Sequence, residues 1–150
     1  MKLCYEGQVM WSQMDINQHL RHSAYADFAA QARLNMLDAV GLTVSLMTDT
    51  KIGPVIFREE LRYLREVRIG ELIKVNCEVN SARADGSRWS VRHELIRSDG
   101  VTAAIIICEG AWMDTEKRRL TPLSPEMSAM FLELPKSEDY QETAMSKKPA

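Results

Sequence analysis

The chain has 150 residues, 45% of them hydrophobic and 27% charged, the size and make-up of one globular domain able to bury a core. Its 19 basic and 21 acidic side chains are interspersed and leave a net charge of −2, with no basic patch interleaved with aromatics, so no nucleic-acid partner is indicated. Cys4, Cys77 and Cys108 are far apart and form no CxxC pair, which argues against a disulfide framework or zinc site and for reduced, buried thiols.

Residues 2–11 read as a strand, with Gly7 marking a bulge or bend. This start lacks the charged and apolar regions of a signal peptide, and no apolar run is long enough to span a membrane. The expected compartment is the cytoplasm. Residues 12–22 form a polar loop carrying Asp15, Asn17 and His19. From Ala24 to Val40 there is no Gly or Pro, and Tyr25, Phe28, Ala29, Ala32, Met36, Ala39 and Val40 recur at helical spacing. The spacing predicts a helix of about 25 Å, with Ser23 as N-cap, Asp27 in the early helix and Gly41 as its stop. Residues 41–52 are too apolar for a solvated loop and read as a short helical turn or a flap over an apolar ligand.

Gly53-Pro54 opens the β region. Strict alternation over 55–67 would place Phe57, Glu59, Leu61 and Tyr63 on one face and Ile56, Arg58, Glu60 and Arg62 on the other. Neither face is purely apolar, so the strand should meet solvent, another chain or a site. A turn at 69–71, a half-buried strand at 72–79, a hairpin at Asp85-Gly86, a strand through Trp89, Val91, His93 and Leu95, and a second hairpin at Ser98-Asp99-Gly100 follow. The run at 101–113 is apolar on both faces and belongs inside the sheet. Residues 115–119 are charged and exposed, and a short helix follows near 126–134. The expected organisation is one domain over 1–135 and a polar, mobile tail over 136–150. The predicted class is α+β: a strand, a long helix, then four antiparallel strands in hairpin succession, with the helix on one face of a curved sheet.

The loop carries the chemistry. A carboxylate, an amide and an imidazole fall within five residues, just before a helix start whose unpaired N–H groups favour an anion or a developing oxyanion. Those are the parts of an acyl-transfer site. Asp15-Ile16-Asn17-Gln18-His19-Leu20, followed by Tyr25 and the helix, resembles the active-site segment of hotdog-fold thioesterases. The likeness covers the 4-hydroxybenzoyl-CoA thioesterase type and the plant acyl-ACP thioesterases, whose run reads Asp-x-Asn-Gln-His-Val-Asn-Asn-x-x-Tyr. The chain departs from that run with Arg21-His22 in place of Asn-Asn, and carries Gln18 where bacterial acyl-CoA enzymes often have Gly.

The resemblance implies a hotdog fold, an antiparallel sheet wrapped around one long central helix, over roughly residues 3–125. It implies hydrolysis of an acyl-CoA or acyl-ACP thioester, with Asp15 as general base or nucleophile and Asn17 and His19 orienting water or stabilising the oxyanion. Backbone N–H groups near residues 23–26, Ser23 and Ala24 among them, would supply the oxyanion donors, with Tyr25 either packed in the core or touching substrate. It further implies a homodimer joined sheet edge to sheet edge, or a dimer of dimers, with acyl sites between protomers and Glu59 or Glu60 facing the partner's Asp15 loop. No cofactor is expected beyond coenzyme A as part of the substrate. The spacing of Asp15, His19 and His22 matches no strong metal signature. The Arg58, Arg62, Arg65 and Arg68 series would either meet coenzyme A phosphates or form a solvated face with Glu59, Glu60 and Glu66. Two other functions stay open at this point: a non-catalytic acyl-CoA-binding hotdog module and a hotdog hydratase or dehydratase.

Overall fold

In the computed structural model, which describes residues 3–144, the elements are β1 (Leu3–Gln8), α1 (Tyr25–Ala39), α2 (Val44–Thr50), β2 (Ile52–Tyr63), β3 (Leu72–Arg83), β4 (Arg88–Ile96), β5 (Thr102–Asp114), β6 (Arg119–Leu120), α3 (Pro125–Leu132) and β7 (Lys136–Thr143). Short 3-10 turns at Trp11–Gln13 and His22–Ala24 bracket the polar loop. The sheet runs β1-β3-β4-β5-β2, antiparallel throughout, with β6 beside β5 and β7 parallel to β3. Among the described residues no helix is long and apolar enough to cross a membrane.

Helix α1 lies across the sheet and buries Tyr25, Phe28, Ala29, Ala32 and Met36 against β1, β3, β4 and β5. Burial of each large apolar side chain stabilises the fold by about 1.5–3 kcal/mol. Ala29 and Ala32, with no solvent exposure, let the backbone approach the strands closely. The helix ends as its sequence predicts. Gly41 takes φ +96°, its N–H donates to Asp38 O at 3.0 Å, and Leu42 N–H donates to Leu37 O at 3.0 Å. The start differs from expectation. Ala24 occupies the cap position without a side-chain bond, while Ser23 lies inside the 3-10 turn and accepts from Arg21 Nε at 3.0 Å. The apolar 41–52 segment contains α2, capped where Thr43 Oγ1 accepts from Leu46 N–H.

Strands β3, β4 and β5 form the expected meander, turning at Gly86 and Gly100, both with positive φ. Strand β2 does not join β3 in a hairpin, which corrects the predicted succession. It lies on the far edge, paired with β5 from Ile52↔Asp114 to Tyr63↔Ala104. The connection after β2 crosses the end of the sheet, because Leu64 and Arg65 N–H both donate to Ala103 O and Val67 is fully buried there. Strict alternation along β2 also fails. Phe57 is the extra residue of a bulge between Ile56 and Arg58, and it lies exposed beneath the Arg88 guanidinium, 5.1 Å from its ring centre. Pro54 sits within the strand rather than before it, tolerated because β2 is an edge.

The predicted tail is corrected as far as Thr143. Strand β1 covers only the first part of the β3 edge, Leu72–Asn76, and β7 pairs with the remainder at Ser81–Arg83. Backbone pairing there requires no apolar side chains, so the polar composition of 136–143 carried no signal of it. Residues 145–150 of that tail lie outside the described residues. Helix α3, capped by Ser124, closes one end of the core through Met127 and Phe131 and ends at Leu132. Trp112 packs edge-on against Phe131 and donates its indole N–H to Gly86 O at 3.0 Å.

Two buried features make the packing testable. A Cβ on Gly110 would stand 2.1 Å from Val55 O and 2.6 Å from the Trp89 ring, so Gly110→Ala should lower unfolding free energy by about 1–3 kcal/mol in urea titration. His93 is fully buried, with Nδ1 2.9 Å from Ile106 O and Nε2 3.2 Å from Arg33 Nη1. Burial, against a smaller opposing effect of the Ile106 hydrogen bond and helped by the Arg33 charge, lowers its pKa from 6.5 to about 4. The unfolded chain therefore binds more protons between those values. Stability carried by neutral His93 is complete above pH 6.5 and falls, by on the order of 3 kcal/mol in total, as pH drops towards 4. Urea titrations across that pH range should trace this slope, and His93→Asn should flatten it.

Candidate active site

The polar loop is a tight hairpin held from both ends. Met14 and Leu20 form an antiparallel bridge, and Asp15 N–H donates to His19 O at 2.8 Å. Within it the Asp15 carboxylate shapes its own backbone: Oδ1 accepts from Asn17 N–H at 2.8 Å and from His19 N–H at 3.1 Å. Leu20, almost fully buried, donates its N–H to Val67 O at 2.7 Å, and His19 bridges to Arg68. The crossing segment after β2 thus anchors the loop beside the start of α1. Arg21 adds a staple, donating to Ser23 Oγ and to the Ser12 carbonyl. That is what this chain does with the first of its two departures at 21–22.

Asp15, His19, His22, Tyr25, Tyr63 and Glu66 share one open cleft of about 330 Å³. Asp15 is exposed on its rim. Tyr25 is buried and stacks edge-on against Tyr63 at 5.1 Å, and the Tyr63 hydroxyl donates to His22 O at 3.3 Å. Burial, then Tyr63 and the Asp15 and Glu66 carboxylates, push the Tyr25 phenol above its usual value, so it remains a proton-bearing donor. His19 Nε2 lies 4.0 Å from Glu66 Oε2, and Arg68 approaches the other Glu66 oxygen at 3.6 Å.

The remaining sequence candidates fall elsewhere. Asn17 is exposed and reaches Asp15 through its backbone N–H. The Ala24 N–H is already donated to Arg21 O at 3.0 Å, so the 3-10 turn removes it from the expected oxyanion donors. Glu59 and Glu60 do not line the cleft within the protomer. They lie mid-way along the β2 edge on opposite faces. Glu60 pairs across from Ile107 and binds Arg58 at 2.7 Å, whereas Glu59 pairs across from buried Cys108 and so faces the helix side. The Arg series is split: Arg58 bridges Glu60 and Glu109, and Arg68 meets Glu66. Sequence reasoning had no means to find Tyr63 and Glu66 as cleft residues, because both reach Asp15 only through the crossing of the sheet end. No group of three or more His, Cys, Asp or Glu among the described residues is arranged to hold a metal.

A curled antiparallel sheet around one long helix is the hotdog fold. It is shared with a hypothetical protein from Staphylococcus aureus solved in complex with CoA, at TM-score 0.80 and 17% identity over 99% of this chain and 90% of that one. The DHNA-CoA thioesterase of Staphylococcus aureus aligns at TM-score 0.79 and 18% identity over 85% and 87% of the two chains. The 1,4-dihydroxy-2-naphthoyl-CoA thioesterase of Synechocystis aligns at 0.75 and 15% over 87% and 95%. Residues 9–131 match the family profile described as the thioesterase-like superfamily, and the chain belongs to that superfamily. No curated protein matches the sequence significantly.

One backbone feature of the loop gives a direct test. Gln18 takes φ +62°, a left-handed conformation that glycine adopts without steric cost, and it is the position where the resembling bacterial enzymes often carry Gly. Gln18→Gly should therefore unfold no earlier than the parent protein in thermal melts. Gln18→Val, branched at Cβ, should lose about 1–2 kcal/mol.

Proposed function

We propose that the protein is an acyl-CoA thioesterase that cleaves its substrate in the Asp15 cleft. The observation that carries this reading is the pinned Asp15 carboxylate, set by two backbone N–H bonds on the rim of a cleft that also holds His19, Tyr25 and Glu66. Both bonds fall on Oδ1, which leaves the second oxygen to take a proton. Water gives that proton to Asp15 as its oxygen attacks the thioester carbon; the tetrahedral adduct then collapses, the C–S bond breaks, and the sulfur leaves as the thiol on taking the proton back from Asp15. His19, oriented towards Glu66, positions the water, and the protonated Tyr25 phenol is a donor within reach of the developing oxyanion. The CoA-bound relative and the two CoA thioesterases support coenzyme A as the carrier.

We further infer a homodimer formed along β2. This strand ends the sheet, is 12 residues long, and exposes Ile56, Phe57 and Tyr63. Pairing of two such edges about a two-fold axis would bring Glu59, on the helix side, towards the partner's cleft and leave Glu60 outside with Arg58.

Thiol release from a range of acyl-CoA esters tests both statements. Asp15→Asn should lower kcat by at least about 100-fold with an unchanged unfolding midpoint. Equal turnover by that variant would remove the assignment, and tight retention of acyl-CoA without thiol release would make the protein a binding module. Glu59→Gln should reduce kcat/KM by about tenfold or more, while Glu60→Gln leaves it within about twofold.

A further inference from the structure

A second cavity, of about 220 Å³, lies between the C-terminal half of α1, α2, β2 and the helix-facing side of the sheet. Its wall is almost wholly apolar, with Leu37, Met47, Trp112 and Phe131 among the lining residues. It is larger than the engineered apolar cavity of about 150 Å³ that takes up benzene. Leu34 of α1 and Ile56 of β2 are exposed lining residues, so the mouth opens between that helix and that strand. The Asp15 cleft lies where the same two elements meet at their other ends, through Tyr25 and Tyr63.

One charged residue, Arg33, interrupts this apolar wall. Arg33 is half-buried, and no Asp or Glu side chain pairs with it among the described residues. Its hydrogen-bond neighbour is His93, which takes one N–H but, being neutral, supplies no negative charge. Trp89 also lines the cavity, through its ring, since its indole nitrogen has no accessible surface. A half-buried guanidinium without a carboxylate partner has donors to spare, and a ligand oxygen in the cavity can take them.

We propose that this cavity receives the far end of the acyl group, and that Arg33 makes it select acyl groups ending in an acceptor oxygen, a carboxylate or a hydroxyl. This rests on the thioesterase reading for its substrate, though the pocket's chemistry stands on Arg33 and its lack of a carboxylate partner. A methyl-ended chain fills the wall and leaves Arg33 as it is, whereas a carboxylate-ended chain places its charge against the guanidinium.

Thiol release is compared for adipoyl- and sebacoyl-CoA against hexanoyl- and decanoyl-CoA, with ω-hydroxyhexanoyl-CoA separating a need for charge from a need for an acceptor. At least one oxygen-ended ester should exceed its methyl-ended counterpart by about tenfold in kcat/KM. Arg33→Met should cancel the preference for the oxygen-ended esters, and Arg33→Lys, which keeps the charge, should retain part of it. These are ratios, so a partial loss of folded protein does not move them. Tryptophan fluorescence titration with hexanoate, hexanol and cyclohexane reads the pocket without hydrolysis, and the two oxygen-bearing ligands should bind about tenfold tighter. If no ester is cleaved, the thioesterase reading fails while the titration still decides the pocket. Equal kcat/KM within the matched pairs, or cyclohexane binding as tightly as hexanoate, overturns the proposal.

Discussion

The contact between α1 and the sheet sets everything else in this protein. Ala24, Ala29 and Ala32 are completely buried, so the helix backbone rests close on the strands, with Phe28 and Met36 filling the space to either side. A helix held that closely has a fixed start. The 3-10 turn at His22–Ala24 and the Tyr25 ring then have one position relative to the sheet end, and the loop before them inherits it. Replacing small residues on this face by larger ones would lift the helix and move the cleft with it.

The cleft itself is a joint product of two chain segments remote in sequence. Asp15 and His19 come from the loop, while Tyr63 and Glu66 come from the end of β2 and the crossing beyond it. What binds the segments is backbone: Leu20 N–H to Val67 O, and the bridge between His19 and Arg68. Main-chain bonds of this kind tolerate varied side chains, which explains how Arg21, His22 and Gln18 stand within a motif that otherwise keeps its spacing. Gln18 accepts a left-handed conformation to keep the hairpin, and Arg21 ties the loop to Ser12 and Ser23.

Polar groups beneath the helix are treated in two ways. His93 is satisfied on both ring nitrogens and held neutral, so it acts as a structural link between β4, β5 and α1. Arg33 is left with donors to spare at the edge of an apolar cavity. A guanidinium without a carboxylate partner, beside a cavity opening next to β2, fits a surface that meets a ligand.

Much of the architecture was readable from residues alone. Period-3.6 apolar spacing located α1, Gly41 marked its end, and Asp-Gly and Ser-Asp-Gly placed the two hairpins, because these signals are local and act through backbone geometry. The Asp15–His19 loop and the cleft at the start of α1 were likewise legible, since a carboxylate, an imidazole and a helix start lie within ten residues. Tertiary structure decided the rest. It moved β2 to the far edge of the sheet, drew β7 onto β3, inserted the bulge at Phe57 that brings Ile56 onto the same face as Glu59, and took the Ala24 amide out of the donor set. Each of these depends on which backbone groups pair across long stretches of chain, and a pairing of main-chain N–H and C=O leaves no mark in the identity of the side chains that carry it.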